Sequence, residues 1–404
     1  MRLKNVVYVG TAALFLLSAS TAQAAETKNA QPIDMLPKQD VQLPTQLPKN
    51  MTYDSQYDFK YPKDGVKGIY LTAYSTKNEK FQELIKLIND TELNAMVIDV
   101  KDDHGNITMS LDTNDPLIEK YTLDVTEAKT VLKEMEKNNI YPIARIVTFK
   151  DTALAQDHPE WSFKENGKVW QNDGGDSFVN PYLKEVWDYN VNVAKEAAKL
   201  GFKDIQFDYV RFPEGFENKA SSLEYDKGPF KDSDKTDTEQ RVESITNFVN
   251  YAHQELKPYG VEVSADVFGY TALVKEASGI GQSFPQISKH VDAISAMIYP
   301  SHWSPGDFGL DAPDTEPYKA TKEYIERENA VLDELGKQKP KSRPWLQDFT
   351  ASYLGAGQYK DYNQQEIEDQ IKALEENDIH EFLLWNAAND YTEGVDYTPT
   401  EKEK

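Results

Sequence analysis

The chain has 404 residues, a formal net charge of -24 at pH 7 and no cysteine. The acidic balance excludes nucleic acid and anionic membrane surfaces as partners, because both require a basic face. Without cysteine there is neither a disulfide framework nor a lipid attachment site, so the fold must be stable through its own core. Aromatic residues make up 11% of the chain, with 23 tyrosines, and exposed rings provide flat surfaces on which sugars can stack.

The first 25 residues have the layout of a secretory signal peptide. Arg2 and Lys4 provide a positive start, residues 6–17 form an apolar run, and Ala22-Gln23-Ala24 is a small-residue cleavage site. The apolar run is too short to span a bilayer as a stable anchor, although a retained anchor is the alternative. We predict that the mature chain is secreted or associated with the cell surface, with no transmembrane segment after signal removal.

The remaining chain divides into three segments. Residues 26–64 are polar and contain five prolines, which predicts an extended, partly disordered linker. Residues 65–395 alternate between strand-like and helix-like patterns and form the single predicted domain. Residues 396–404 form a charged tail.

The domain repeats a pattern of strand followed by helix. Runs of β-branched and aromatic residues predict strands over 66–73, 95–100, 142–149, 205–210, 261–268, 293–299, 345–349 and 382–385. Apolar spacing predicts helices over 79–91, 125–137, 182–200, 238–256, 284–289, 318–335 and 364–376. Eight strands, each but the last followed by a helix, predict a (β/α)8 TIM barrel of the α/β class. A doubly wound open sheet is the alternative, but its usual glycine-rich first turn is missing from residues 72–75.

The long loops of the predicted barrel all follow strands. They cover residues 102–124, 150–181, 211–237 and 300–316, whereas the connections from helix to strand are a few residues long. In this fold the strand-to-helix loops build the active-site face. The pattern therefore predicts an elaborated pocket on that face, with tolerated insertions as the alternative.

Polar and aromatic side chains recur where the predicted strands end. Because side chains alternate along a strand, Asp99 and Lys101 are predicted to share one face, and so are Ser264 and Asp266. If these faces point inward, carboxylates from separate strands converge at the barrel mouth. The candidates for catalysis are Asp208, Asp266 and Asp348, and those for substrate binding are Asp99, Lys101, Arg145, Arg211, Tyr299, His302, Trp303, Gln347, Trp385 and Asn386.

Converging carboxylates beside aromatic rings suit the cleavage of a glycosidic bond. One carboxylic acid protonates the leaving oxygen, while a second carboxylate attacks the anomeric carbon or activates water. Asp208, flanked by the cations Lys101, Arg145 and Arg211, is predicted to stay ionised. Asp266 is the first candidate for the acid and Asp348 the second. A structural ion pair or a helix cap is the alternative for each of them.

Other chemistries find less support in the sequence. The six histidines are scattered without paired metal-ligand spacing, and there is neither a GxSxG motif nor a cysteine nucleophile. We predict no metal and no cofactor, although acidic residues at 102–103 and 112–115 leave a Ca²⁺ or Mg²⁺ site as an alternative. The predicted partner is a carbohydrate substrate, and the chain is predicted to be a monomer that binds no nucleic acid.

Six stretches support a family resemblance, namely 67–72 (KGIYLT), 97–102 (VIDVKD), 143–146 (IARI), 206–213 (QFDYVRFP), 264–269 (SADVFG) and 297–303 (MIYPSHW). Together they resemble a bacterial glycoside hydrolase family, a domain of unknown function. Its barrel design is related to the α-galactosidase and α-amylase groups. The resemblance covers residues 65–390 and implies a TIM barrel and a sugar substrate.

The resemblance also implies residue roles. In the better-known groups the nucleophile follows the fourth strand, which here corresponds to Asp208. The acid is a Glu on the fifth strand or an Asp on the sixth. Here the fifth strand offers Asp266 and the sixth offers no carboxylate, so the acid assignment stays open. The alternative functions are a catalytically silent carbohydrate-binding barrel in cell-wall or capsule assembly, and a metal-dependent hydrolase of another ester or amide.

Overall fold

A computed structural model describes residues 52–397 and shows a closed barrel of eight parallel strands. The barrel strands are β1 (Lys67–Leu71), β2 (Ala95–Lys101), β3 (Tyr141–Val147), β4 (Asp204–Asp208), β5 (Glu262–Phe268), β6 (Ala293–Met297), β7 (Trp345–Gln347) and β8 (Phe382–Trp385). Each strand pairs with the next, and β8 pairs with β1 from Lys67 opposite Phe382 to Ile69 opposite Leu384. The predicted TIM barrel is confirmed. The open-sheet alternative is wrong, because an open sheet would leave two unpaired edges.

Helices follow the strands on the outside of the barrel. They are α1 (Asn78–Asn89), α2 (Pro116–Tyr121), α3 (Ala128–Lys137), α4 (Thr152–Asp157), α5 (Lys184–Leu200), α6 (Phe216–Lys219), α7 (Asp237–Leu256), α8 (Phe284–Ser288), α9 (Pro317–Asp333) and α10 (Gln364–Glu375). The longer helices bury one stripe at helical spacing, as α5 does with Val186, Tyr189 and Val193. The helix α7 begins with a capping box between Thr236 and Glu239.

The long strand-to-helix loops carry most of the remaining elements. Short strands cover Ile107–Met109, Thr122–Thr126, Lys164–Glu165, Lys168–Val169 and Lys341–Ser342. Single 3-10 turns cover Ala73–Thr76, Pro159–Trp161, Gly228–Phe230, Lys257–Tyr259, Gly269–Ala272, Pro300–His302, Asp307–Gly309, Pro313–Thr315, Gly336–Gln338 and Ser352–Leu354. The predicted elaboration of the active-site face therefore has ordered structure of its own.

The strand β4 ends at Asp208, two residues before its predicted end. Tyr209 has a φ of 50°, a left-handed conformation that a β ladder cannot continue through. Such a conformation is unfavourable for a bulky residue and is found most often where a site is held in a fixed geometry. The end of this strand is therefore set by the backbone at the candidate site and not by a change in hydrophobicity.

The interior of the barrel is polar near its amino-terminal end. Arg343 donates to Asp204 at 2.6 Å and to Glu381 at 2.8 Å, and its Nη2 also donates to the Tyr61 hydroxyl at 3.0 Å. Tyr61 belongs to the segment that precedes β1, so part of the predicted linker packs against the barrel. Because each buried charge has an opposite partner, this network tolerates its burial.

The ends of the predicted domains fall partly outside residues 52–397. The predicted signal peptide over 1–25 lies outside the described residues, and so does most of the predicted tail. Tyr397 is buried against Phe382, with ring centroids 6.3 Å apart, so the domain extends past its predicted end at 395. Among the helices of residues 52–397, none is long and apolar enough to cross a bilayer.

Candidate active site

Arg145 on β3 is the centre of a buried charge cluster at the carboxyl-terminal end of the barrel. Its Nη1 donates to Asp99 at 2.6 Å, and its Nε and Nη2 donate to the same oxygen of Asp208 at 2.9 and 2.7 Å. Nη2 also donates to Asp103 at 3.0 Å. One guanidinium group thus holds carboxylates from two strands and one loop. Burial in a low-dielectric interior makes these charge-assisted hydrogen bonds strong.

Asp208 is the last residue of β4 and is fixed through both of its carboxylate oxygens. Arg145 binds Oδ2, and the backbone N–H of Tyr209 donates to Oδ1 at 2.6 Å. The left-handed φ of Tyr209 turns this N–H back toward the carboxylate that precedes it. Three hydrogen bonds, two of them from a guanidinium group, thus fix the orientation of the Asp208 carboxylate.

Asp266 on β5 lies beside Asp208 on the same level of the barrel. The register pairs Gln206 with Ser264 and Phe207 with Ala265, so the next pair of neighbours is Asp208 and Asp266. Trp345 donates its indole N–H to Asp266 at 2.8 Å. Burial first, and the nearby charge of Asp208 second, raise the pKa of Asp266 well above its ordinary value. A carboxyl with a raised pKa beside a second carboxyl that is bound by a guanidinium group is an arrangement suited to acid-base chemistry.

The carboxyl group of Asp99 is the second one in the cluster with a perturbed pKa. It accepts from the hydroxyl of Tyr70 at 2.6 Å and from Arg145. Burial raises the pKa of Asp99 to about 6, against the opposing effects of Arg145 and of the Tyr70 hydrogen bond. Asp99 is therefore poised to change its protonation state just below neutral pH.

Lys101 does not join this cluster, which corrects its predicted role. Its Nζ lies 2.6 Å from Asp151 and donates to Asn190 at 3.0 Å, outside the barrel wall and beside α5. The cause is a β-bulge, in which β2 advances from Asp99 to Lys101 while β3 advances only from Arg145 to Ile146. The extra residue breaks the alternation that placed Asp99 and Lys101 on one face.

Three predicted residues at the ends of β7 and β8 hold loops together instead of facing the charge cluster. Asp348 accepts from the hydroxyl of Thr392 at 2.7 Å, and burial raises its pKa to about 6. Gln347 is fully buried and donates to Asp314 at 2.9 Å. Asn386 donates to the backbone carbonyl of Asp348 at 2.6 Å. Their side chains are already bonded within these loops, so the predicted roles of Asp348 in catalysis and of Gln347 in binding find no geometric support.

Aromatic rings line the wall above the carboxylates. Trp385 stacks on Tyr70 with ring centroids 4.1 Å apart, and Arg145 lies 5.6 Å from the centroid of each ring. Tyr299 follows β6, is nearly fully buried and has a pKa raised well above its usual range by burial and by the charges of Asp266 and Asp208. Trp385 and Tyr299 thus lie at the predicted mouth.

The remaining predicted residues lie on the adjoining rim. Arg211 donates to Glu214 at 3.0 Å and covers the Phe268 ring at 4.8 Å, so it does not act as the predicted charge partner of Asp208. His302 and Trp303 line a cavity of about 740 Å³ that opens beside the ends of β5 and β6. The structure thus brings Asp99, Arg145, Asp208 and Asp266 together and places His302 and Trp303 in the lining of the cavity at the ends of β5 and β6.

Sequence reasoning missed three members of the cluster. Tyr70 binds Asp99, Trp345 binds Asp266, and Asp103 is held between Arg145 and Lys150. Tyr70 and Trp345 lie on predicted strands, and their inward-facing parity was the available signal. Asp103 lies in a loop, where no periodic pattern indicates direction. Within residues 52–397, no group of three His, Cys, Asp or Glu side chains is arranged to hold a metal ion.

A (β/α)8 barrel with clustered carboxylates and aromatic rings at the carboxyl-terminal ends of its strands is the architecture of a glycosidase. Comparison with known proteins agrees. A family model described as "Putative glycosyl hydrolase domain" matches residues 68–391, and the chain belongs to this family. A comparison with curated proteins found no match.

Several solved structures are similar to this chain. A hypothetical protein from Ruminiclostridium thermocellum is 35% identical, and the match covers 49% of this chain and 97% of that chain with a TM-score of 0.43. The PgaB (BpsB) glycoside hydrolase domain from Bordetella bronchiseptica is 13% identical, with 81% and 95% covered and a TM-score of 0.56. An α-galactosidase from Thermus thermophilus is 9% identical, with 83% and 60% covered and a TM-score of 0.49. The second of these supports the barrel fold of this glycosidase.

Proposed function

We propose that this glycosidase cleaves a poly- or oligosaccharide with Asp208 as the nucleophile or stabilising carboxylate and Asp266 as the general acid. The observation that carries the proposal is that two neighbouring carboxyl groups, Asp208 and Asp266, lie in different environments. Arg145 donates two hydrogen bonds to Asp208, whereas burial and the charge of Asp208 raise the pKa of Asp266 well above its ordinary value.

In the proposed reaction Asp266 donates its proton to the glycosidic oxygen as the bond from that oxygen to the anomeric carbon breaks. Asp208 stabilises the positive charge that develops on the anomeric carbon, or forms a bond to it. Water then completes the cleavage, and its proton returns to Asp266. The stacked Tyr70 and Trp385 provide an apolar wall at the mouth, and Asp99 and Arg145 hold Asp208 in place.

The spacing of the strands favours the covalent route. Adjacent strands are about 4.8 Å apart, and the register that pairs Phe207 with Ala265 makes Asp208 and Asp266 the next neighbours on β4 and β5. Retaining enzymes have carboxyl groups about 5 to 5.5 Å apart, while inverting enzymes need about 6.5 to 9.5 Å to admit a water. We therefore propose a double displacement that retains the anomeric configuration.

The proposal also includes export. The signal-like features of residues 1–25 support a location outside the cytoplasm, on the cell surface or in the medium. A fusion of these residues to a reporter enzyme that is active only after export would test it, with Arg2 and Lys4 changed to Glu as the control.

The catalytic assignment is tested with Asp208→Asn. A screen of the native chain against cell-wall, capsular and storage glycans should reveal turnover, and Asp208→Asn should reduce it by at least about 10³-fold. Circular dichroism and glycan binding should be unchanged, because Asn preserves the side-chain volume. Full activity in Asp208→Asn would remove the nucleophile assignment. Binding without turnover by the native chain would instead indicate a carbohydrate-binding barrel.

A further inference from the structure

The cavity beside the carboxylate cluster has a floor and walls suited to a sugar ring. Its volume is about 740 Å³, and it is bordered by the loops that follow β4, β5 and β6. Phe268 and Met297, the last residues of β5 and β6, contribute to its lining together with the indole of Trp303. Tyr270 and Leu273 are exposed on its wall. Exposed apolar side chains gathered in one concave patch mark a binding surface more often than an isolated exposed residue does.

Glycine at position 269 keeps this surface open. A Cβ at Gly269 would lie 2.7 Å from the carbonyl oxygen of Met297 and 3.1 Å from the Trp303 ring. Only glycine therefore allows the strand end and the indole to approach each other. The Nε1 of Trp303 is buried and has no acceptor within residues 52–397. An unpaired buried donor costs free energy.

The ionisable groups that line the cavity are almost all acidic. They are Glu214, Glu217, Glu276, Asp307 and His302, and the lining includes neither lysine nor arginine. Arg211 donates to Glu214 at 3.0 Å and so compensates the negative charge of that carboxylate. The other carboxylates leave an excess of negative charge around an aromatic floor. Such a surface repels anionic glycans and attracts cationic ones over about a Debye length, which is about 8 Å at physiological ionic strength.

A second hollow adjoins the cavity on the side of the outer helix α9. Its volume is about 510 Å³, it shares Leu273 and Asp307 with the first cavity, and it is lined by Phe308 and by Arg327 of α9. Two adjoining hollows offer room for more than one sugar residue of a chain.

We propose that the first cavity is a subsite for an amino-sugar residue of a polysaccharide, one whose 2-amino group is free and therefore protonated. The inference rests on the proposed function, because it assumes that the neighbouring Asp208 and Asp266 cleave the same chain. The sugar ring lies on Trp303 and Phe268, and its ammonium group faces Glu217 and Glu276. A neutral or fully N-acetylated glycan gains the stacking contacts but not the charge attraction.

The test measures glycan binding in the Asp208→Asn chain, so that turnover does not interfere. The probes are a glucosamine hexamer and the N-acetylglucosamine hexamer of the same linkage, titrated by calorimetry at pH 6. We expect the amino form to bind at least about fivefold more tightly, with the difference shrinking at high salt. Adding Glu217→Gln and Glu276→Gln should weaken binding of the amino form about fivefold, because each exposed ionic contact contributes modestly.

The matched control is Glu334→Gln, which removes an exposed carboxylate near the end of α9 and outside the cavity lining. It should leave both affinities unchanged. Equal binding of the two hexamers, tighter binding of the acetylated form, or no binding of the amino form would overturn the subsite proposal. Failure of the catalytic proposal is seen separately, as turnover that survives Asp208→Asn. Catalysis could therefore be confirmed on a neutral glycan while the amino-sugar subsite is rejected.

Discussion

Replacing Arg145 by Met should destabilise the protein more than any exposed ion pair would. Arg145 makes four hydrogen bonds to three carboxylates. The side chains of Asp99 and Asp208 are 7% and 9% exposed, whereas that of Asp103 is 42% exposed and counts for little. Removing one partner of a buried ion pair costs about 3 to 5 kcal/mol, because the other charge stays buried without compensation. We expect a loss of this size in the free energy of unfolding at pH 7.

The loss of unfolding free energy in Arg145→Met should depend on pH, and the structure predicts the direction of this dependence. The folded-state pKa of Asp99 is about 6, above its unfolded value of about 3.9. The stability that its proton provides is thus present at low pH and is lost as pH rises through about 6. Without Arg145 the pKa of Asp99 should rise further, because Arg145 is the main effect that opposes burial there. The cost of Arg145→Met should therefore be smaller at pH 4.5 than at pH 7.

Urea unfolding of native and Arg145→Met chains, followed by circular dichroism at pH 4.5 and pH 7, measures both effects. Arg327→Met is the matched control, because Arg327 pairs with Glu323 on a helix surface and both side chains are 46% exposed. It should cost less than about 1 kcal/mol at either pH. A loss below about 1 kcal/mol for Arg145→Met at pH 7, or an equal loss at both pH values, would refute the reasoning.

Three further predictions follow from the same geometry. Trp345→Phe removes a hydrogen-bond donor to the charged form of Asp266, so the pKa of Asp266 should rise. The alkaline limb of the pH–rate profile should then move up by about one unit. Trp187→Phe, which removes an indole donor to a backbone carbonyl at the barrel surface, should leave the profile unchanged. Lys101→Met leaves the buried carboxylate of Asp151 unpaired and should cost about 3 to 5 kcal/mol in urea unfolding; a loss near zero would show that Asp151 is neutral. Proton NMR of the first product should show the anomer of the substrate, and the opposite anomer would exclude the double displacement.

The sequence by itself determined the barrel and its active-site end. Alternating strand and helix patterns predicted all eight strands, because burial between a helix layer and the barrel interior requires continuous apolar runs. The end of the fourth strand was predicted two residues too late, because the left-handed backbone of Tyr209 ends it at Asp208. Composition and motif spacing also indicated the enzyme class, which the family match confirms.

Only the tertiary structure decided which strand-end residues meet. A bulge in β2 turned Lys101 outward, although strict alternation placed it beside Asp99. Arg145 became the shared partner of three carboxylates because the closed barrel brings three distant stretches of chain within hydrogen-bonding distance. Asp348 instead accepts a hydrogen bond from Thr392, 44 residues later in the chain. Strand periodicity is a local property, whereas the pairing of charges depends on register and closure, which involve residues far apart in sequence.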